Sequence, residues 1–233
     1  SFAKALEIIL AAKNTSIPLT LAQVLPTVSL ANIMQTSGRA PDAEQYLKSL
    51  IAIRRTLLAS NPQGEKETEE LAQSIDQLAI FLAQKNRAPE ALILFNESLT
   101  LSKQNPNLPP DQLRNRLLIG AEIAIFAIKP SAALEAIEAT QKLPNARPTD
   151  MIKAATLASR AIPAVKNQEK LSDAERMKLT IDLGKIAVMI LQQAVLAGLS
   201  DIEFLKKTPD FESIRELPAF KELLKALELK KKN

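Results

Sequence analysis

The chain has 233 residues, is 46% hydrophobic but only 3% aromatic, contains no Cys, His or Trp, and carries 30 Lys and Arg against 26 Asp and Glu. Without Cys or His it has no thiolate nucleophile, no Ser-His-Asp triad, no imidazole acid-base chemistry, no ordinary zinc site and no disulfide. The net charge of +4 includes Lys230, Lys231 and Lys232, which suit a solvated helix C-terminus, so the body is close to neutral and no nucleic-acid partner is assigned.

Richness in Ala and Leu with only five Gly favours helices, and no stretch alternates with period two for long enough to be a strand. A membrane span needs about 20 consecutive apolar residues. The nearest approach, residues 186–199, is shorter and contains Gln192 and Gln193, so no span is expected and the chain reads as a soluble domain. The lack of Cys leaves the compartment open. A start at Ser1-Phe2, without Met or a signal pattern, is expected of a segment cut from a longer protein.

In chain order, Phe2, Leu6, Ile9 and Leu10 predict an amphipathic helix over 2–13, ended at Pro18. A second helix is predicted over 19–36 with a bend at Pro26, closed by Gly38. The next runs from Pro41 to about Ser60, with proline in its first turn where the missing donor costs nothing. After the polar loop 61–66, helices are predicted over 69–84 and 89–103. Asp111 is expected to cap a helix reaching Ile128, whose half from Leu117 is apolar all round and hence buried. Helices over 131–143 and 150–162 follow, the latter capped by Thr149. The capping box Ser172-Asp173-Ala174-Glu175 opens a long helix to Ala197, stopped by Gly198. A second box, Ser200-Asp201-Ile202-Glu203, opens a short helix, and two more begin at Pro209 and Leu217-Pro218.

One phrase recurs. Leu30-Ala31 and Gly38-Arg39-Ala40-Pro41-Asp42-Ala43 return 48 residues later as Leu78-Ala79 and Asn86-Arg87-Ala88-Pro89-Glu90-Ala91. Gly38 and Asn86 exchange because both residue types adopt the left-handed conformation that closes a helix. A third copy fits an offset of 42, which takes Ala79 to Ala121, Ala91 to Ala133 and Phe95 to Ile137, but 41 fits nearly as well. Arg39 and Arg87 have two readings: a turn arginine that packs its stem and meets helix carbonyls, or a repeated cationic ridge for an acidic partner. Carboxylate pairs such as Glu69-Glu70 and Glu135 with Glu138 suit solvated helix faces, and no catalytic, cofactor-binding or metal-binding residue is assigned.

These residues resemble the tetratricopeptide repeat (TPR) family, whose unit is two antiparallel helices. The second copy carries the pattern in Ile75, Leu78, Ala79 and Leu82, then Ala91, Phe95, Ser98 and Leu99. The first carries it in Leu30, Ala31, Met34, Gly38, Ala43, Leu47 and Leu50. The spacing of 48 exceeds the family's 34, and the usual Trp and Tyr are absent. The C-terminal run Ala197-Gly198, Leu205-Lys206-Lys207, Pro209-Asp210-Phe211, Ile214-Arg215, Pro218, Phe220 and Leu223-Leu224 is similar to the end of repeat regions attached to planctomycete-type bacterial serine/threonine protein kinases. The chain itself has no glycine-rich loop, His-Arg-Asp or Asp-Phe-Gly, so any kinase domain would precede it.

The resemblance implies an all-α stack of three to four helical hairpins, with an N-terminal cap over 1–18, repeats over 19–164 and a closing segment over 165–233. It further implies a non-catalytic scaffold that takes a protein or peptide in a concave groove. Groove residues would be Leu25, Val28, Asn32, Gln35 and Thr36 in the first copy and Gln73, Asp76, Gln77, Ile80 and Gln84 in the second. Leu179, Leu183, Ile186, Ile190 and Leu191 read as core of the long closing helix, of which an exposed subset would form a dimer face. The alternative to the scaffold is a self-association domain acting through that helix, from Asp173 to Ala197.

Overall fold

The computed structural model describes residues 40–232, where all regular structure is helical and no strand occurs. The elements are α1 (Ala40–Ser60), α2 (Glu65–Gln84), α3 (Ala88–Lys103), α4 (Pro110–Phe126), α5 (Pro130–Gln141), α6 (Pro148–Val165), α7 (Asp173–Leu196), α8 (Ile202–Lys207), a 3₁₀ helix (Pro209–Ile214) and α9 (Pro218–Lys232). The helices expected over 2–13 and 19–36, the bend at Pro26 and the turn at Gly38 lie outside the described residues.

Helix starts differ from the sequence expectations where proline competes with a polar cap. Pro110, Pro130 and Pro148 open α4, α5 and α6, so Asp111 sits in the first turn of α4 instead of capping it. Thr149 likewise lies inside α6, where Asp150 reaches back to accept from Arg147 N at 3.3 Å. The capping box at Ser172 forms as expected: Glu175 N donates to Ser172 Oγ, and Ser172 N to Glu175 Oε2 at 2.8 Å. At α8 the cap is Asp201, one residue past Ser200, accepting from Phe204 N at 2.9 Å. Helix α6 passes through Pro163 to Val165. The proline forgoes one bond, to the carbonyl of Ser159, within a turn of the helix end where few later bonds depend on it.

Three helices end in the same closure. Asn86 has φ 60°, with Arg87 N donating to Leu82 O at 2.9 Å and Asn86 N to Ala83 O at 3.1 Å. Ile128 has φ 53°, with Lys129 N donating to Ala124 O at 2.8 Å and Ile128 N to Ile125 O at 3.0 Å. Gly198 has φ 108°, and Leu199 N donates to Ala194 O at 2.9 Å. This is the Schellman closure, which satisfies two carbonyls that a helix end otherwise leaves bare. The turns at Asn86 and Ile128 lie 42 residues apart, so the backbone selects that offset over 41 for the third copy.

The described residues divide into two compact units, one ending at residue 107 and the other beginning at residue 108. In the first, α2 packs against both α1 and α3. Three residues separate α2 from α3, a connection that leaves antiparallel return as the only packed arrangement. Ala43, Ala79 and Ala91 are fully buried, which brings backbones together, and Leu47 and Phe95 fill the space beside them. In the second unit α4 pairs with α5, and α6 packs against both and most extensively against α7. Ala121, Ala133 and Ile137, the residues at the 42 offset, are fully buried. The 3₁₀ helix and α9 close this unit with Phe211, Ile214 and Phe220, each large side chain contributing about 1.5–3 kcal/mol by burial. Gly184 lets α9's leading loop approach α7, since a Cβ there would stand 2.9 Å from Leu217 Cδ1.

Candidate functional site

On the second-copy groove face, Gln73, Gln77, Ile80 and Gln84 fall along one side of α2. Gln73 and Gln84 are exposed, and Gln77 and Ile80 are half-buried. Gln73 Nε2 donates to Glu69 Oε1 at 3.0 Å. Asp76 does not belong to this face. It is only 2% exposed and its carboxylate accepts from Ser98 Oγ of α3, so it holds the hairpin together and offers nothing to a ligand. A polar residue between groove positions looked solvent-facing in sequence; the deciding fact is that Ser98 stands opposite it. Leu25, Val28, Asn32, Gln35 and Thr36, the other half of the expected groove, lie outside the described residues.

The first unit also contains a cleft of about 390 Å³ on a different side of α2. Lys48, Ile51 and Arg55 of α1 form one bank, Glu90, Ile93 and Leu94 of α3 the other, and Leu78 and Leu82 of α2 lie between them. Both leucines and Ile51 are buried, whereas Ile93 is 70% exposed. Ion pairs link the banks at each end. Arg87 Nη1 meets Glu44 Oε2 at 2.7 Å, and Arg55 Nη2 meets Glu97 Oε1 at 2.7 Å. Arg87 also grips Glu90, at 2.6 Å, and Lys48 meets Glu44 at 2.7 Å. Hydrogen bonds from Lys48 and Arg87 hold the Glu44 carboxyl below its usual range, the bond from Arg87 does the same to Glu90, and Glu90 and Glu44 raise Arg87.

These contacts answer both readings of Arg87. Its guanidinium meets carboxylates of α1 and α3, not helix carbonyls, and its charge is spent within the protein instead of forming a free ridge. Arg39 lies outside the described residues. Ile93 went unnoticed in sequence, although a signal was present: Leu92-Ile93-Leu94-Phe95 is a run of four apolar residues, more than one helix face can bury.

On α7, Leu183, Ile190 and Leu191 are fully buried, with Leu179 and Ile186 packed against the same core. The outward side instead presents Met177, Ile181, Met189 and Leu196. By length and composition Asp173–Leu196 is apolar enough to cross a membrane, but half of its most apolar window is buried within the protein, as in the core helix of a folded domain. Among the described residues no group of three or more acidic side chains is placed to hold a metal ion.

A scan of protein-family models finds no match to the chain, and no curated protein matches its sequence.

Proposed function

We propose that the chain is a non-catalytic interaction scaffold of TPR type, a regulatory or sensory part of a larger bacterial protein such as a serine/threonine kinase, which binds a protein or peptide segment. The observation that supports this most is the recurrence, 42 residues apart, of one left-handed helix closure at Asn86 and Ile128 with buried alanines at matching places on either side. Serial repetition of one hairpin is what a surface-presenting stack requires, because each hairpin cannot bury its apolar face alone. The kinase context rests on the C-terminal run from Ala197 to Leu224. The test is selection of peptides from a displayed random library on the purified chain. Sequence-related peptides that bind one to one, with Kd of about micromolar or tighter, are expected; a selection that returns none overturns the reading.

The outward stripe of Met177, Ile181, Met189 and Leu196 favours a second reading, self-association through α7. Light scattering decides it: a dimer that Ile181→Glu with Met189→Glu dissociates supports this reading, and a monomer at all concentrations removes it.

A further inference from the structure

We infer that the cleft between α1 and α3 receives one helical segment of a partner protein, about three turns long, through an uncharged apolar stripe. The inference rests on the scaffold reading above and assigns it a place and an occupant. Length comes first. The closing ion pairs stand on Glu44 and Arg55 of α1, eleven residues apart, which at 1.5 Å per residue is about 16 Å, or three helical turns.

Charge comes second. Glu44, Glu90 and Glu97 face Lys48, Arg55 and Arg87, and each of the six already has a partner in another of them. The rim therefore neutralises itself, and a charged side chain entering the cleft would have to break a pair or lose its water uncompensated.

Backbone chemistry comes third. The cleft is walled by helices whose main-chain groups are engaged within those helices, so no main-chain edge there can pair with an extended peptide, and the polar side chains Lys48, Arg55 and Glu90 stand on the banks, not on the apolar floor. Such a peptide would press unsatisfied N–H and C=O groups onto Ile51, Leu78, Leu82 and Leu94, whereas a helix satisfies its own. Finally, the exposure of Ile93 shows the cleft open along one side. A small molecule would remain partly in water there, while an apolar helix face with residues at i, i+4 and i+7 would cover Ile93 together with the floor.

The probe is a synthetic capped peptide of about 14 residues with Leu at i, i+4 and i+7, Ala between, and Glu–Lys pairs on its opposite face. Two control peptides accompany it, one with Pro at its centre and one with the middle Leu replaced by Glu. Fluorescence anisotropy against the whole chain is expected to show binding that Pro or Glu weakens about tenfold or more. Ile93→Glu is expected to weaken it by as much while leaving the thermal transition unchanged, since Ile93 is already in water. Equal binding of the Pro peptide, or binding indifferent to Ile93→Glu, overturns the inference. If Ile80→Glu abolishes binding and Ile93→Glu does not, the scaffold reading stands and this site is wrong. If the designed peptide does not bind, library-selected peptides insensitive to Ile93→Glu overturn it equally, and an empty selection overturns both. A concentration-dependent dimer dispersed by Ile93→Glu would make the occupant a second copy and refute the partner helix.

Discussion

The hairpins α2–α3 and α4–α5 share a backbone closure and use different chemistry to hold their helices together. In the first, Asp76 and Ser98 are buried and bonded to each other, and Arg54 of α1 donates to Ser74 Oγ at 2.6 Å and to the Glu70 carbonyl. In the second, the corresponding places hold Leu118 and Thr140; both are buried, and the threonine turns its hydroxyl to the Ile137 carbonyl of its own helix at 2.7 Å. Geometry is therefore kept by the closure and the small residues, and the interlocking contacts are free to be polar or apolar. Buried polar contacts act through the partner left unsatisfied when one side is removed, whereas apolar ones act through volume.

The largest effect should fall on apolar packing in the second unit. Phe211 is fully buried, with Phe204 edge-on at 6.0 Å and Phe220 tilted at 6.2 Å. Phe211→Ala should cost about 3–5 kcal/mol in denaturant unfolding. A loss below about 1 kcal/mol would show that the C-terminal closure is peripheral to that unit's stability.

The polar half of the comparison predicts an asymmetry between aligned positions. Ser98→Ala removes a donor from a buried carboxylate and should cost about 1.5–3 kcal/mol. Thr140→Val keeps the shape and gives up a bond to its own helix and one from Gln141, so it should cost less than about 1 kcal/mol. Equal costs, measured by urea titration of both variants, would erase the distinction between the hairpins.

Much of this was legible in the sequence, and the reasons differ from residue to residue. Helix class followed from periodicity. The left-handed turn at Asn86 followed from its exchange with Gly38, and the box at Ser172 from two residues three apart. Ile128 was not legible as the same turn, because a β-branched residue is among the least suited to positive φ; only the bonds from Lys129 and Ile128 reveal it. The groove face was half-legible. Spacing along α2 placed Gln73, Gln77, Ile80 and Gln84 on one side, but spacing within one helix cannot report that a serine on the next stands opposite Asp76. The cleft between α1 and α3 depends on which arginine reaches which carboxylate across more than 40 residues of sequence, and no local pattern encodes that.

Exchange of the turn residues tests whether the closures are equivalent. Asn86→Ile places a branched side chain at φ 60° and should destabilise by about 1–2 kcal/mol. Ile128→Asn relieves the same strain at an exposed position and should stabilise by about 1 kcal/mol. Thermal unfolding of both variants reads the two signs. If Ile128→Asn destabilises, the isoleucine contributes packing that outweighs its backbone strain, and the closures match in geometry only.

The smallest effect concerns the arginine beside the first closure. Arg87 joins α1 to α3 through Glu44 and Glu90, whereas its counterpart in character, Arg147 of the second unit, pairs with Asp150 three residues along its own chain. Arg87→Ala should therefore loosen the link between two helices, and Arg147→Ala only one helix start. Both glutamates have folded values held below the ordinary 4.5, so their contribution is present at neutral pH and is lost as pH falls through the depressed values. The difference in urea midpoint between the native chain and Arg87→Ala should be small at pH 7, because the pairs are solvent-screened. It should shrink further in about 1 M salt and vanish once the pH has fallen below both depressed values. A difference that persists in acid would mean that Arg87 acts through the packing of its stem between α1 and α3, and the end of the cleft would then be an apolar wall instead of an ionic one.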